Sequence, residues 1–146
     1  MRFVVDASVT IRWFLREEQH DHAVVVLRQL VAAPERFAVP ELFAYEVFAV
    51  LVRVHPDPLK VYLNGMIPLL QGGILRYPMT ENIARRAQGF YKHGLTGYDA
   101  CYAALAEELE ALWLTFDSKA HEQVQKLEVS MDLNRTLPEA WEDQPV

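Results

Sequence analysis

The sequence has a single cysteine, Cys101, among its 146 residues. One thiol excludes an intrachain disulfide and offers no Cys pair for a metal, so a reducing cytoplasm is the expected compartment. Glycine is scarce as well, at 6 residues. No P-loop, dinucleotide glycine fingerprint, zincin motif or Ser-centred nucleophile elbow occurs, which excludes the commonest enzymes built on those motifs. No apolar run approaches the roughly 20 residues of a membrane span, and MRFVVDASV does not read as a secretory signal. Internal repeats and low-complexity tracts are missing too. Basic residues are the minority, 14 Lys and Arg against 20 Asp and Glu, for a net charge of −6. That balance argues against avid nonspecific nucleic-acid binding, which depends on neutralising phosphates. A carboxylate cluster that held divalent cations would reverse the sign locally.

What the chain does have is apolar patterning. Hydrophobic residues make up 51% of it, enough for one core without staples. Short apolar runs alternate with longer periodic ones, the pattern of βα units around a parallel sheet. RFVV (2–5), FAV (37–39), GILRY (73–77) and LWLT (112–115) read as strands, with EVSM (128–131) as a possible edge strand. Helices are expected over 9–17, over HAVVVLRQLVAA, and over PELFAYEVFAVLVRV with Pro40 at or near the first turn. DPLKVYLNGMIPLLQ reads as a helix bent or divided near Gly65 and Pro68. TENIARRAQGFYKHG has Thr80 as N-cap and Gly94 as stop, and GYDACYAALAEEL and KAHEQVQKL follow as helices. One domain over 1–146 is expected, with the tail 131–146 either packed on it, through Trp141, or mobile.

Four acids stand out. Asp6 and Asp117 each follow an apolar strand, where ligands bind in open parallel sheets. Each is equally placed to cap the helix that comes next. Asp99 lies three residues after Thr96, close to a capping box, but within a helix apolar on every side. Glu46 is mid-helix in LFAYEVFAVLV, with Leu42, Phe43, Ala49 and Val50 as its helical neighbours, and neither a cap nor a turn explains it. Together the four can converge at the carboxyl edge of the sheet, where their mutual repulsion calls for cations. Hard oxygen donors without His or Cys suit Mg²⁺ or Mn²⁺. Two such ions about 3.5–4 Å apart are the usual apparatus of phosphodiester hydrolysis.

The blocks VVDASVTIRWFLREE, VPELFAYEVFAVL, GLTGYDACYAALAEEL and LWLTFDSKAH, in that order over residues 3–121, resemble PIN domains, and among them VapC-type toxins of toxin–antitoxin pairs. The resemblance implies a PIN-like three-layer α/β fold, with a mostly parallel sheet of four to five short strands flanked by helices. It implies a Mg²⁺- or Mn²⁺-dependent endoribonuclease acting on RNA, a homodimer, and a cognate antitoxin protein that blocks the site. Carried over by motif, Asp6, Glu46, Asp99 and Asp117 would be the metal-binding and catalytic acids, with Ser8 and Thr115 beside them. The run Ser118-Lys119-Ala120-His121 lacks the further acid or Asn common in the family. That departure suits one ion in the free protein and a second arriving with substrate.

Arg12, Arg85 and Arg86 are candidates for a basic rim that steers phosphates, against the commoner alternative of a solvated helix face. His20 and His22 in QHDHA read as surface, Cys101 as a small buried residue, and His121 as a weak candidate at the mouth of the site. Two other readings compete. D6-A-S-V-T10 resembles the Asp-x-Asp-x-Thr motif of haloacid dehalogenase-like phosphatases, but Ser8 stands where the proton-donating acid is needed. A PIN fold that binds RNA or protein without cleaving is the other, and retention of all four acids speaks against it.

Overall fold

The structure is a computed structural model, and it describes residues 1–143. Five short strands form one parallel sheet in the order β3-β2-β1-β4-β5. They are β1 (Phe3–Val5), β2 (Phe37–Pro40), β3 (Leu75–Tyr77), β4 (Leu112–Thr115) and β5 (Ser130–Asp132). Because every strand runs the same way, all five carboxyl ends meet at one edge. β1, β2 and all but the first residue of β4 are buried, which is why they read as plain apolar runs without alternation.

The helices are α1 (Ala7–Phe14), α2 (Asp21–Ala32), α3 (Leu42–Val54), α4 (Pro58–Val61), α5 (Ile67–Gln71), α6 (Glu81–Lys92), α7 (Gly97–Glu108) and α8 (Ser118–Val124). α7 is buried from Ala100 to Ala106 and packs across β1, β2 and β4. Its small residues let the helix lie close to the sheet, and α6 covers it from outside. α1 packs against α2 and α3. Thr80 caps α6 by accepting from the Ile83 N–H at 3.2 Å. Gly94 (φ +101°) makes the left-handed turn out of that helix, a conformation that favours glycine.

The segment read as bent or divided near Gly65 and Pro68 is divided, by a π-helical turn over Tyr62–Met66 between α4 and α5. Two expectations need correction. Pro40 ends β2 and does not enter α3, which starts at Leu42. His20 and His22 are not plain surface residues. His20 precedes α2 as its cap, and its ring lies 5.0 Å from Phe116 and 4.9 Å from His22. Past β5 the chain returns along the molecule, and Trp141, 2% exposed, packs on Phe3 and Phe37 at 4.5 and 6.2 Å between ring centres. The last three residues of the tail, 144–146, lie outside the described residues. No helix is long and apolar enough to cross a membrane among the described residues.

Candidate active site

Asp6 leaves β1 and caps α1. Its Oδ1 accepts from the Ser8 backbone N–H at 2.9 Å and from the Ser8 hydroxyl, and its Oδ2 accepts from the Trp113 indole N–H at 2.9 Å. Burial pushes its carboxyl above the ordinary range, although hydrogen bonds from Ser8, Thr115 and Trp113 pull the other way. The carboxylate is therefore buried, oriented and reluctant to ionise alone.

Glu46 reaches the same place from α3. It accepts from the Tyr102 hydroxyl at 3.2 Å and from the Ala7 backbone N–H beside Asp6. Burial, then the charge of Asp6, then Asp99 push it up to about 7, against the two hydrogen bonds. Asp99 stands in the first turn of α7. Its N–H donates to the Thr96 hydroxyl at 3.2 Å, so the capping arrangement read from the sequence is present. Burial first, then the charges of Asp6 and Asp117, push its carboxyl up to about 6. Asp117 is exposed beyond β4 and caps α8, with Oδ1 accepting from the Ala120 N–H at 2.9 Å. Asp99 and Asp117 line one crevice of about 130 Å³, with Lys119 at its side.

The four acids thus come together electrostatically, as an acidic set at the carboxyl edge of β1 and β4. Three of them serve a helix start as well, so cap and site are not alternatives here. Ser8 and Thr115 join the two strand ends: their hydroxyls are 3.3 Å apart, and Thr115 accepts from the Asp117 N–H at 3.1 Å. Arg12 donates to the Ser8 carbonyl at 2.6 Å and lies 4.2 Å over the Phe116 ring, next to the site. Arg85 and Arg86 are elsewhere. Arg85 pairs with Glu81 on its own helix at 2.7 Å, and Arg86 with Glu107 and Glu108 at 2.6 Å, at the end of α7 away from Asp99. His121 is turned to Ser130, with 2.8 Å between Nδ1 and Oγ.

Sequence reasoning passed over Trp113 and read Tyr102 only as a core or rim aromatic, yet their polar tips hold Asp6 and Glu46. A signal was available. A buried Trp or Tyr needs a partner for its N–H or O–H, and both lie in runs too apolar to offer one nearby. Reasoning also missed Asp132 and Asn134, which bond the residues flanking Asp117. No motif marks them.

The donor chemistry of the acidic set fits a hard divalent ion: oxygen donors only, with raised proton affinities at Asp6, Glu46 and Asp99 that a cation would relieve. The side chains as they lie do not form a closed ligand set. Among the described residues no group of three His, Cys, Asp or Glu side chains is arranged to hold an ion.

Comparison with known proteins bears on the family and the fold. The PIN domain family model matches residues 3–127. FitAcB from Neisseria gonorrhoeae superposes with a TM-score of 0.69 at 15% identity, covering 92% of this chain and 99% of that one. A toxin–antitoxin complex from Klebsiella pneumoniae gives 0.64 at 16%, covering 89% and 96%. VapBC-1 from nontypeable Haemophilus influenzae gives 0.60 at 14%, covering 92% and 99%. A search of curated proteins by sequence returns no match. A family model spanning β1 to α8 and a shared architecture lead to one conclusion: the chain belongs to the PIN domain family.

Proposed function

We infer that this protein is a cytoplasmic, divalent-metal-dependent endoribonuclease, the toxin of a toxin–antitoxin pair. The observation that carries the reading is the gathering of the acids at one edge of the sheet, close enough that Glu46 and Asp99 are shifted by their neighbours. Glu46 responds to Asp6 and Asp99, and Asp99 to Asp6 and Asp117. Acids gathered at a cost to one another are a functional signature more than a stabilising one.

Asp6, Asp99 and Asp117, with Glu46 behind them, are the residues that would hold Mg²⁺ or Mn²⁺. Bound there, such an ion supplies water activation and charge neutralisation for phosphodiester hydrolysis. The chain's own part is positional. Trp113 and Ser8 hold Asp6 in one orientation, and Tyr102 and Ala7 hold Glu46. Without metal, burial and then the charge of Asp6 raise the Glu46 carboxyl to about 7, and a bound cation would draw it back toward the ionised form.

Toxin–antitoxin complexes among the similar structures support an antitoxin partner. A groove lined by Ala44, Tyr45, Phe48, Tyr62, Ile67 and Leu70, with Glu41 and Arg76 as its polar lining, offers such a partner an apolar seat. Tyr45 is 78% exposed and Phe48 42%, a patch that a solitary soluble surface rarely keeps. A homodimer completes the reading, and sedimentation tests it.

The direct test is cleavage of RNA with Mg²⁺, with chelator, and with Asp6→Ala, alongside thermal unfolding during Mn²⁺ titration. Metal that binds the native state alone raises the melting temperature. Chelator-sensitive cleavage that Asp6→Ala abolishes supports the enzyme. RNA binding with no cleavage and no Mn²⁺ shift would mark a non-catalytic PIN module instead.

A further inference from the structure

Asp117 is the least enclosed of the four acids, and its own side chain accepts one hydrogen bond, from the Ala120 N–H, as the cap of α8. Its direction is set by the residues on either side. Toward β1, the Phe116 N–H donates to the Ser8 hydroxyl at 2.9 Å, and the Asp117 N–H to Thr115. Toward β5, the Ser118 hydroxyl donates to Asp132 Oδ2 at 2.7 Å. The Asn134 amide donates to the Phe116 carbonyl at 2.7 Å and to the Ser118 hydroxyl at 3.1 Å. Leu133 ties the strand ends together through its N–H to the Thr115 carbonyl at 2.8 Å.

Asp132 is only 4% exposed, in the register position opposite Thr115. Its other oxygen accepts from the Asn134 backbone N–H and side chain, both at 2.9 Å. Both of its oxygens accept from neighbours, so its carboxylate is held in place against the loop that carries Asp117. Neither Asp132 nor Asn134 lies within the stretch matched by the family model, which ends at residue 127.

We propose that Asp132, with Ser118 and Asn134, is a positioning group that clamps the loop Phe116–Ser118 and so presents the Asp117 carboxylate to the acidic crevice. This rests on the metal-site reading of that crevice. Groups that orient a ligand from behind govern metal affinity almost as strongly as the ligands do, and their loss typically costs about 10–100-fold.

The test is the Mn²⁺ dissociation constant by calorimetry for the full chain, Ser118→Ala, Ser118→Thr and Asp132→Asn, with melting temperatures recorded in chelator. A purely structural role lowers the melting temperature and leaves the affinity of the folded protein unchanged. The expected result is affinity weakened by about tenfold or more in Ser118→Ala and Asp132→Asn, and recovered in Ser118→Thr, which keeps the hydroxyl. If Asp132→Asn fails to fold, the Ser118 pair decides alone. Wild-type affinity in Ser118→Ala, or no recovery in Ser118→Thr, overturns the clamp while leaving the metal site standing. No Mn²⁺ uptake by the wild type overturns both.

Discussion

An indole N–H is what fixes the first aspartate, and its loss has a calculable cost. Trp113→Phe keeps most of the apolar volume but leaves Asp6 Oδ2 without its donor in a buried setting. Stability should fall by about 1–3 kcal/mol, read from urea unfolding of the metal-free protein. Asp99→Asn should act in the opposite direction. It removes a charge held against Asp6 and Asp117, so the chelator-treated variant should melt no lower than wild type while cleavage disappears. Retained cleavage in a less stable Asp99→Asn would make the residue a cap alone. The pH dependence follows from the same repulsion. Glu46 and Asp99 hold their protons more tightly folded than unfolded, between 4.5 and about 7 for the first and between 3.8 and about 6 for the second. In that window the native state binds more protons, so the contribution to stability falls as pH rises. Metal-free protein should therefore resist urea better near about pH 5 than near about pH 8, and Mn²⁺ should narrow the gap. Asp132 is shifted the other way, because bonds from Ser118 and Asn134 outweigh its burial, and acts only below its ordinary 3.8.

Helices and strands were unevenly legible. β4 is visible to the residue in LWLT because a strand buried at all but its first residue is a bounded apolar run. Glu46 stood out in the sequence as a charge mid-helix among apolar neighbours, whereas Asp6, Asp99 and Asp117 had helix starts to explain them, and only the structure brings the four to one edge. The π-helical turn at Tyr62–Met66 was not legible, since Gly65 and Pro68 signal interruption without saying which kind. The packing explains the glycine. A Cβ at Gly65 would come 2.5 Å from Cε1 of Phe14 on α1, so the turn gives way to that ring. Gly65→Ala should cost about 1–3 kcal/mol of unfolding free energy by overpacking, with the acidic set untouched. Pro40 misled because proline suits a helix start and a strand end equally, and pairing with Tyr77 decides for the strand. The clamp on Asp117 was out of reach for a different reason. Its members are ordinary polar residues in a polar segment, and only the register of β5 beside β4 brings them to the loop.

At the level of the whole molecule, charge is the governing quantity. A protein of net −6 with Arg85 and Arg86 engaged by acids has little to offer an RNA backbone unless cations intervene. RNA association itself, and not cleavage alone, should need Mg²⁺ or Mn²⁺; filter binding in chelator should fall to background, and binding that persists there would assign the contact to basic side chains. The sheet order carries a consequence for synthesis. β1 sits between β2 and β4, so Phe3 has one register partner at Phe37 and the other only at Leu112. A growing polypeptide can emerge with its first acid and wait for most of translation before the last arrives. The acidic crevice is therefore complete only after β4 has paired with β1.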